Sequence, residues 1–275
     1  MADYIKYEIE VEDEEKAEIL TAFLSELPFE SFEYEDKLLK AYIPTPLSCE
    51  DVASIAEILH HTAYRSEEIK AQNWNAEWES HFEEVEIDNK VIIRAPFHTP
   101  RPEFGNLDIV IRPKMSFGTG HHATTRLMVK MLLGMDLSEK RILDMGSGTG
   151  VLAIVSAKLG ADRVLAVEID DMAEESVREN IEINGVSSIV RSVCDDARAI
   201  RGEAFDTILA NINRNILLHD MGDYRATLTE GGRLIISGFL AEDVDILTSH
   251  AAQLGFVKGR HISHEGWQAV EFIIV

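Results

Sequence analysis

Hydrophobic and polar positions alternate with period two at the start of the chain, in "YIKYEIEV", which predicts a strand with one buried face. The period then changes. In "DEEKAEILTAFLSEL", Ile19, Leu20, Phe23, Leu24 and Leu27 fall at helical spacing, with acids in the first turn where the helix dipole favours negative charge. "FESFEYED" and "LLKAYIP" read as a hairpin, and "SCEDVASIAEILHHTA" as a second helix opened by Ser48 with Asp51 three residues on. "YRSEEIKA" reads as a closing strand. Strand-helix-strand-strand-helix-strand over residues 1–70 is the split ferredoxin-like motif. Residues 71–86 are expected as a linker helix, on which Trp74, Trp78 and Phe82 fall four apart in one stripe. That stripe suits packing between domains; substrate contact is the other reading.

A second domain is expected over 87–275. It opens with short strands around a Pro-rich turn in "IDNKVIIRAPFHTPRPEFGNLDIVIRP". From residue 140, apolar runs alternate with helical segments. "RILDMG", "RVLAVEID", "FDTILANI", "RLIISGF" and "VEFIIV" read as strands, "VLAIVSAKLG" and "DMAEESVRENIEING" as helices closed by Gly160 and Gly185. This rhythm predicts an α/β fold, a doubly wound, mostly parallel sheet covered on both faces.

Composition narrows the partners. Of 275 residues, 45% are hydrophobic, enough for a sizeable core, and no window approaches the ~18 unbroken apolar residues of a membrane helix. The acidic N-terminus has no apolar signal core, and Cys49 and Cys194 make no disulfide framework; both features point to the cytoplasm. The net charge of −23 divides as −17 over 1–86 and −6 over 87–275. Such a front end repels phosphate backbones and attracts basic partners, or simply keeps the surface soluble.

The candidate chemistry begins at "DMGSGTGVLA". Read from Gly148 the turn satisfies a dinucleotide fingerprint; read from Gly146 it is Asp-x-Gly-x-Gly-x-Gly. Either way the backbone turns tightly beside a ligand. Glu168 ends the next strand, where a carboxylate accepts hydrogen bonds from ribose hydroxyls. Three residues decide between cofactors. Asp144 precedes the glycines and would repel a pyrophosphate but suit a sulfonium or an amino group. Asp196, in "VCDDA", would accept from an adenine amine, or be a turn residue only. Asn211, in "LANIN", leaves the sheet at its carboxyl edge, where an uncharged amide holds an amine without making it an ammonium ion; bonding backbone in a turn is its alternative.

"ILDMGSGTGVLAI", "VEID" and "LANI" resemble the class I methyltransferases that use S-adenosylmethionine. With "NWNAEW" and "SFGTGHHATTRLM" upstream, the whole chain resembles the bacterial methyltransferases of large-subunit ribosomal protein eleven. Glu168 stands where family members often have Asp, and His122-Ala123 where they usually have His-Pro. The resemblance implies a Rossmann-like catalytic domain behind a ferredoxin-like substrate-recognition domain. It makes "SFGTGHHATT" a flap over the cofactor, with Thr125 as a cofactor contact, Phe117 as an apolar wall and Gly118 and Gly120 as hinges. The residues themselves agree: the segment opens a helix whose N-terminal amides and threonine hydroxyls bond a carboxylate such as methionine's. A metal site is the rival, but no cluster of Cys or His completes "HH".

The implied activity is transfer of methyl groups to lysine side chains and an N-terminal α-amine of that ribosomal protein, free or on the ribosome. Glu168, Gly146, Gly148 and Thr125 would hold S-adenosylmethionine, and Asn211 would aim the acceptor nitrogen. Three other readings stay open: a different basic protein as substrate, a non-catalytic adenosylmethionine-binding protein, and a nicotinamide-dependent oxidoreductase, for which no proton donor stands out. Direct nucleic-acid specificity is disfavoured by the front-end charge, and membrane association by the absence of a spanning segment.

Overall fold

In a computed structural model of the chain, residues 4–69, 82–114 and 117–275 are described. The chain divides into two units, Met1–His81 and Phe82–Val275, each with its own core. The front unit runs β1 (Tyr4–Glu10), α1 (Glu14–Leu24), β2 (Ser31–Glu35), β3 (Leu38–Pro44), α2 (Cys49–Ile58) and β4 (Tyr64–Ile69). Its antiparallel sheet has the order β2-β3-β1-β4, the ferredoxin-like arrangement read from the period changes. Asp13 starts α1 by accepting from the Lys16 amide at 3.0 Å, and Ser48 and Asp51 close a reciprocal capping box on α2. Tyr7, Ile9, Leu39, Ala41 and Ile43 share one sheet face and pack on Ala17, Leu24, Ile55 and Leu59 of the helices.

The helix expected over 71–86 falls, up to residue 81, outside the described residues, as do Trp74 and Trp78. Its last positions belong to a strand, β5 (Val85–Ile87), because Val85 and Ile87 alternate with exposed Glu86 and are buried. β5 pairs antiparallel with β6 (Val91–Arg94), which pairs parallel with β7 (Asp108–Val110). Arg94 fastens the last two through a bidentate pair with Asp108, at 2.6 and 3.0 Å.

The main sheet follows α3 (Ala123–Leu132). Its elements are β8 (Arg141–Met145), α4 (Val151–Lys158), β9 (Arg163–Glu168), α5 (Asp171–Ile183), β10 (Val190–Cys194), β11 (Phe205–Asn211), α6 (Arg214–Thr227), β12 (Leu228–Leu240), α7 (Val244–Gln253), β13 (Phe256–His264) and β14 (Trp267–Ile274). The strand order is β10-β9-β8-β11-β12-β14-β13, parallel through β12, with β14 and β13 antiparallel. Alternate residues of the buried strands feed two cores. Ile142, Val164, Ala166 and Leu209 pack with α3, α4 and α5, while Leu143, Leu165, Val167 and Ile208 pack with α6 and α7. The sheet is therefore covered on both faces, and its order reverses between β8 and β11, the switch point where open α/β sheets bind ligands. No helix among the described residues is long and apolar enough to cross a membrane.

Candidate functional site

The carboxyl ends of β8, β9, β10 and β11 bring Met145, Glu168, Cys194 and Asn211 to one edge of the sheet. The glycine turn leaves β8 here. Gly146 and Ser147 donate their amides to the Val167 carbonyl at 2.9 and 3.1 Å, which folds the turn back over β9. Gly148, with φ +57°, donates to Glu168 Oε2 at 2.8 Å. A Cβ on Gly148 would run into the Phe117 carbonyl, so the backbone approach seen there requires glycine. Glu168 Oε1 accepts from the Ile169 amide at 2.9 Å. The carboxylate therefore sits between the turn and the end of its own strand.

The segment after residue 116 is bonded to this turn. Thr149 donates its amide to the Phe117 carbonyl at 2.9 Å and its hydroxyl to the Gly118 carbonyl at 2.7 Å. His122 caps α3, with Nδ1 accepting from the Thr124 amide at 3.3 Å. The His122 ring lies 5.1 Å from Phe117 and 4.8 Å from Trp267. The neighbouring His121 goes elsewhere. Its ring nitrogens lie 3.0 Å from Thr119 Oγ1 and 2.9 Å from the Glu83 carbonyl. Adjacent histidines are thus pulled to different partners, and among the described residues no three metal-binding side chains converge.

Asp144 Oδ1, Ser147 Oγ and Asn211 Oδ1, at or beside the ends of β8 and β11, are buried without a hydrogen-bond partner among the described residues, as is Thr125 Oγ1 in the first turn of α3. A buried polar atom left unpaired costs ~1–3 kcal/mol, so several along one edge fit a bound polar molecule. "LANIN" holds two asparagines of different use. Asn213 caps α6, accepting from the Asn215 and Ile216 amides at 3.1 Å each. Asn211 is the one whose oxygen is unused.

Asp144 and Asp196 take more structural places than the sequence suggests. Asp144 is 1% exposed, and its Oδ2 accepts from the Ala153 amide at 3.0 Å, in the first turn of α4. Burial pushes its pKa up to about 7; the Ala153 amide works against this, and the Glu168 charge adds to it. Asp196 Oδ1 accepts from the backbone amide and Nε of Arg198, both at 2.8 Å, and these bonds hold its carboxyl below the usual carboxylate range. Its turn role is thus observed.

Four contributors escape a reading of the sequence: Ser147, Trp267, Asn180 and Asn184. Ser147 sits inside the glycine turn, where its neighbours carry the motif. Trp267, far along the chain, reaches the site only through tertiary packing. Asn180 is fully buried and bridges the Thr149 carbonyl and the Arg112 amide, at 2.9 Å each; Asn184 accepts from the Val110 amide at 2.9 Å. Together they stitch the chain leading into "SFGTG" onto α5 and the glycine turn. The available signal was a pair of asparagines, four apart, on the inward face of a helix.

The family model described as ribosomal protein L11 methyltransferase (PrmA) matches residues 6–273. A ribosomal protein L11 methyltransferase of Porphyromonas gingivalis is 43% identical over 263 residues, covering 93% of this chain and 90% of that one. Its namesake in Bacteroides thetaiotaomicron is 40% identical over 261 residues, covering 93% of both chains. A crystal structure of a ribosomal protein L11 methylase from Lactobacillus delbrueckii subsp. bulgaricus aligns with a TM-score of 0.64 at 26% identity, covering 70% of this chain and 98% of that one.

Proposed function

This chain belongs to the ribosomal protein L11 methyltransferase family, and from that premise we propose that it methylates lysine side chains and the N-terminal α-amine of ribosomal protein L11. It is an S-adenosylmethionine-dependent methyltransferase. The observation that carries the residue assignments is the unpartnered, buried Oδ1 of Asn211, at the sheet edge that also holds the glycine turn.

The residues fit the donor. The turn from Gly146 to Gly150 allows a close backbone approach, Glu168 offers a carboxylate to ribose hydroxyls, and Thr125 offers its unused hydroxyl at the start of α3 to the amino-acid end. Phe117 would supply an apolar wall, the Asp196 oxygen not engaged by Arg198 would accept from the adenine amine, and Asp144 braces the first turn of α4 through the Ala153 amide. Bound there, S-adenosylmethionine supplies a methyl group activated by its sulfonium sulfur. Asn211 Oδ1 accepts a hydrogen bond from the incoming amine and so aims the nitrogen lone pair. The amine must be neutral to react, while free lysine titrates near ~10.4. A carboxylate at this position would hold the ammonium form; an amide does not, and a dry pocket favours the neutral form further. The proton leaves to bulk water before attack, so no general base is assigned. Positioning of this kind contributes ~7–11 kcal/mol.

The reading places the enzyme in the cytoplasm and gives it no nucleic-acid specificity of its own. The test is transfer of labelled methyl from S-adenosylmethionine to purified ribosomal protein L11, free and within the large subunit. Label in both L11 preparations or in the free protein alone supports the reading; label in ribosomal RNA, or in no component, overturns it.

A further inference from the structure

The acid excess of the front unit is unevenly placed. By strand alternation, Glu33, Lys40, Glu8 and Arg65 form one row across the sheet face turned away from the helices. Lys6 Nζ lies 3.0 Å from Glu8 and 3.2 Å from Glu67, Lys40 Nζ lies 3.3 Å from Glu35, and Arg65 pairs with Glu8. That face sets three cations, Lys6, Lys40 and Arg65, against Glu8, Glu10, Glu33, Glu35 and Glu67, and ties Glu8, Glu35 and Glu67 into ion pairs, which suits a basic partner less well than unpaired acids do.

The helix layer is the opposite. Glu14, Glu15, Glu18, Glu50, Asp51 and Glu57 stand on α1 and α2 against one cation, Lys16, which pairs with Glu12 at 2.7 Å. Glu14, Glu15 and Glu18 have no ion pair among the described residues. Ile19 and Phe23 lie one turn apart on α1, 51% and 54% exposed, with Ile19 beside Lys16 in a recess that also holds Glu10 and Glu12, and Val52 on α2 is 52% exposed. The inward side of α1 already supplies its core contacts through Ala17, Leu20 and Leu24, so the outward pair is surplus to folding. Beside α1, a groove of about 370 Å³ runs against β2, lined by Ala17, Phe32 and Leu39 together with Glu14 and Glu18.

We propose that the outward face of α1 is where the protein substrate docks. The occupant is a basic segment whose apolar side chains cover Ile19 and Phe23 while its lysines or arginines meet Glu14, Glu15 and Glu18. The inference rests on the function proposed above and adds the surface; charge complementarity selects the helices over the sheet.

The test is steady-state methylation of intact ribosomal protein L11. Ile19→Ser/Phe23→Ser alters exposed residues only, and should raise KM for L11 about tenfold, the scale of losing apolar anchors. It should leave kcat and S-adenosylmethionine affinity within about twofold. Glu14→Gln/Glu15→Gln/Glu18→Gln should flatten the salt dependence of that KM. Lys40→Gln/Arg65→Gln, on the sheet face, should leave KM unchanged or lower. An unchanged KM in the Ile19/Phe23 variant, or an equal rise in the sheet-face variant, overturns the docking face while leaving the enzyme's function standing. No transfer to L11 by the parent chain would instead remove the functional reading on which the face depends.

Discussion

At the scale of single residues, the proposed function puts binding and chemistry on different side chains. Glu168→Ala should weaken S-adenosylmethionine binding by roughly 1–3 kcal/mol, because ribose hydroxyls lose their acceptor. Titration calorimetry showing unchanged affinity would remove that role. Asn211→Ala should leave this affinity nearly intact and lower kcat ~10²-fold, the scale of a misaimed nucleophile. Asp144 carries a pH signature. Its pKa is pushed up to about 7 in the folded chain, above the ~3.9 of an unfolded aspartate. Between those values the unfolded chain binds fewer protons than the folded one, so stability declines as pH rises, by at most roughly 1.4 kcal/mol per unit. Asp144→Asn keeps an acceptor for the Ala153 amide and does not titrate. Urea unfolding at about pH 5.5 and about pH 7 should therefore show the parent losing stability relative to the variant. A constant difference between the two would mean that Asp144 does not titrate in this range.

At the scale of elements, the glycine turn is the least replaceable piece of backbone. Gly148→Ala meets two obstacles, a positive φ and a collision with the Phe117 carbonyl that no rotamer change relieves. Gly185, just beyond α5, has φ +65° but nothing near its added methyl. Gly185→Ala should cost about 1–2 kcal/mol, the left-handed strain alone. Gly148→Ala should cost more than that and abolish cofactor binding. Thermal unfolding of the pair, with cofactor titration, checks both; equal losses would show that the Phe117 segment yields. The same comparison explains what was legible here. Glycine spacing announced the turn, whereas its lock by Thr149 onto residues 117 and 118 joins segments 31 positions apart and left no local signal.

At the scale of the whole molecule, the proposed catalytic site is built from residues of Phe82–Val275, and the acid excess lies ahead of it. A cut after residue 62 would leave β4 without β1, so the informative truncation starts at Phe82. That shortened chain should bind S-adenosylmethionine and fail to methylate L11. In the full chain, KM for L11 should rise between about 50 and about 400 mM salt while the cofactor's KM stays flat, as screening acts on opposite-sign surfaces. Efficient methylation by the shortened chain would move docking out of the front unit. A flat KM for L11 would make docking apolar.

The sequence by itself determined the element order of the front unit, the alternation that makes a parallel sheet in the second, the glycine turn with Glu168, and Asn211 at a strand end. Period, caps and apolar runs are properties of neighbours along the chain, and they survive without knowledge of what packs against them. Only the tertiary structure decided the rest. Asp144 and Glu168 are both carboxylates at strand ends, yet one is buried under α4 and the other bonds the turn. Asn211 and Asn213 share a motif, yet one caps a helix and the other keeps a free oxygen. β13, with mostly exposed positions, becomes a strand because β14 pairs with it. Lys6, Lys40 and Arg65 pair with Glu8, Glu35 and Glu67 on one face because four strands align them across the unit. Each of these outcomes depends on desolvation or on a partner distant in sequence, and neither is encoded in the spacing of adjacent residues.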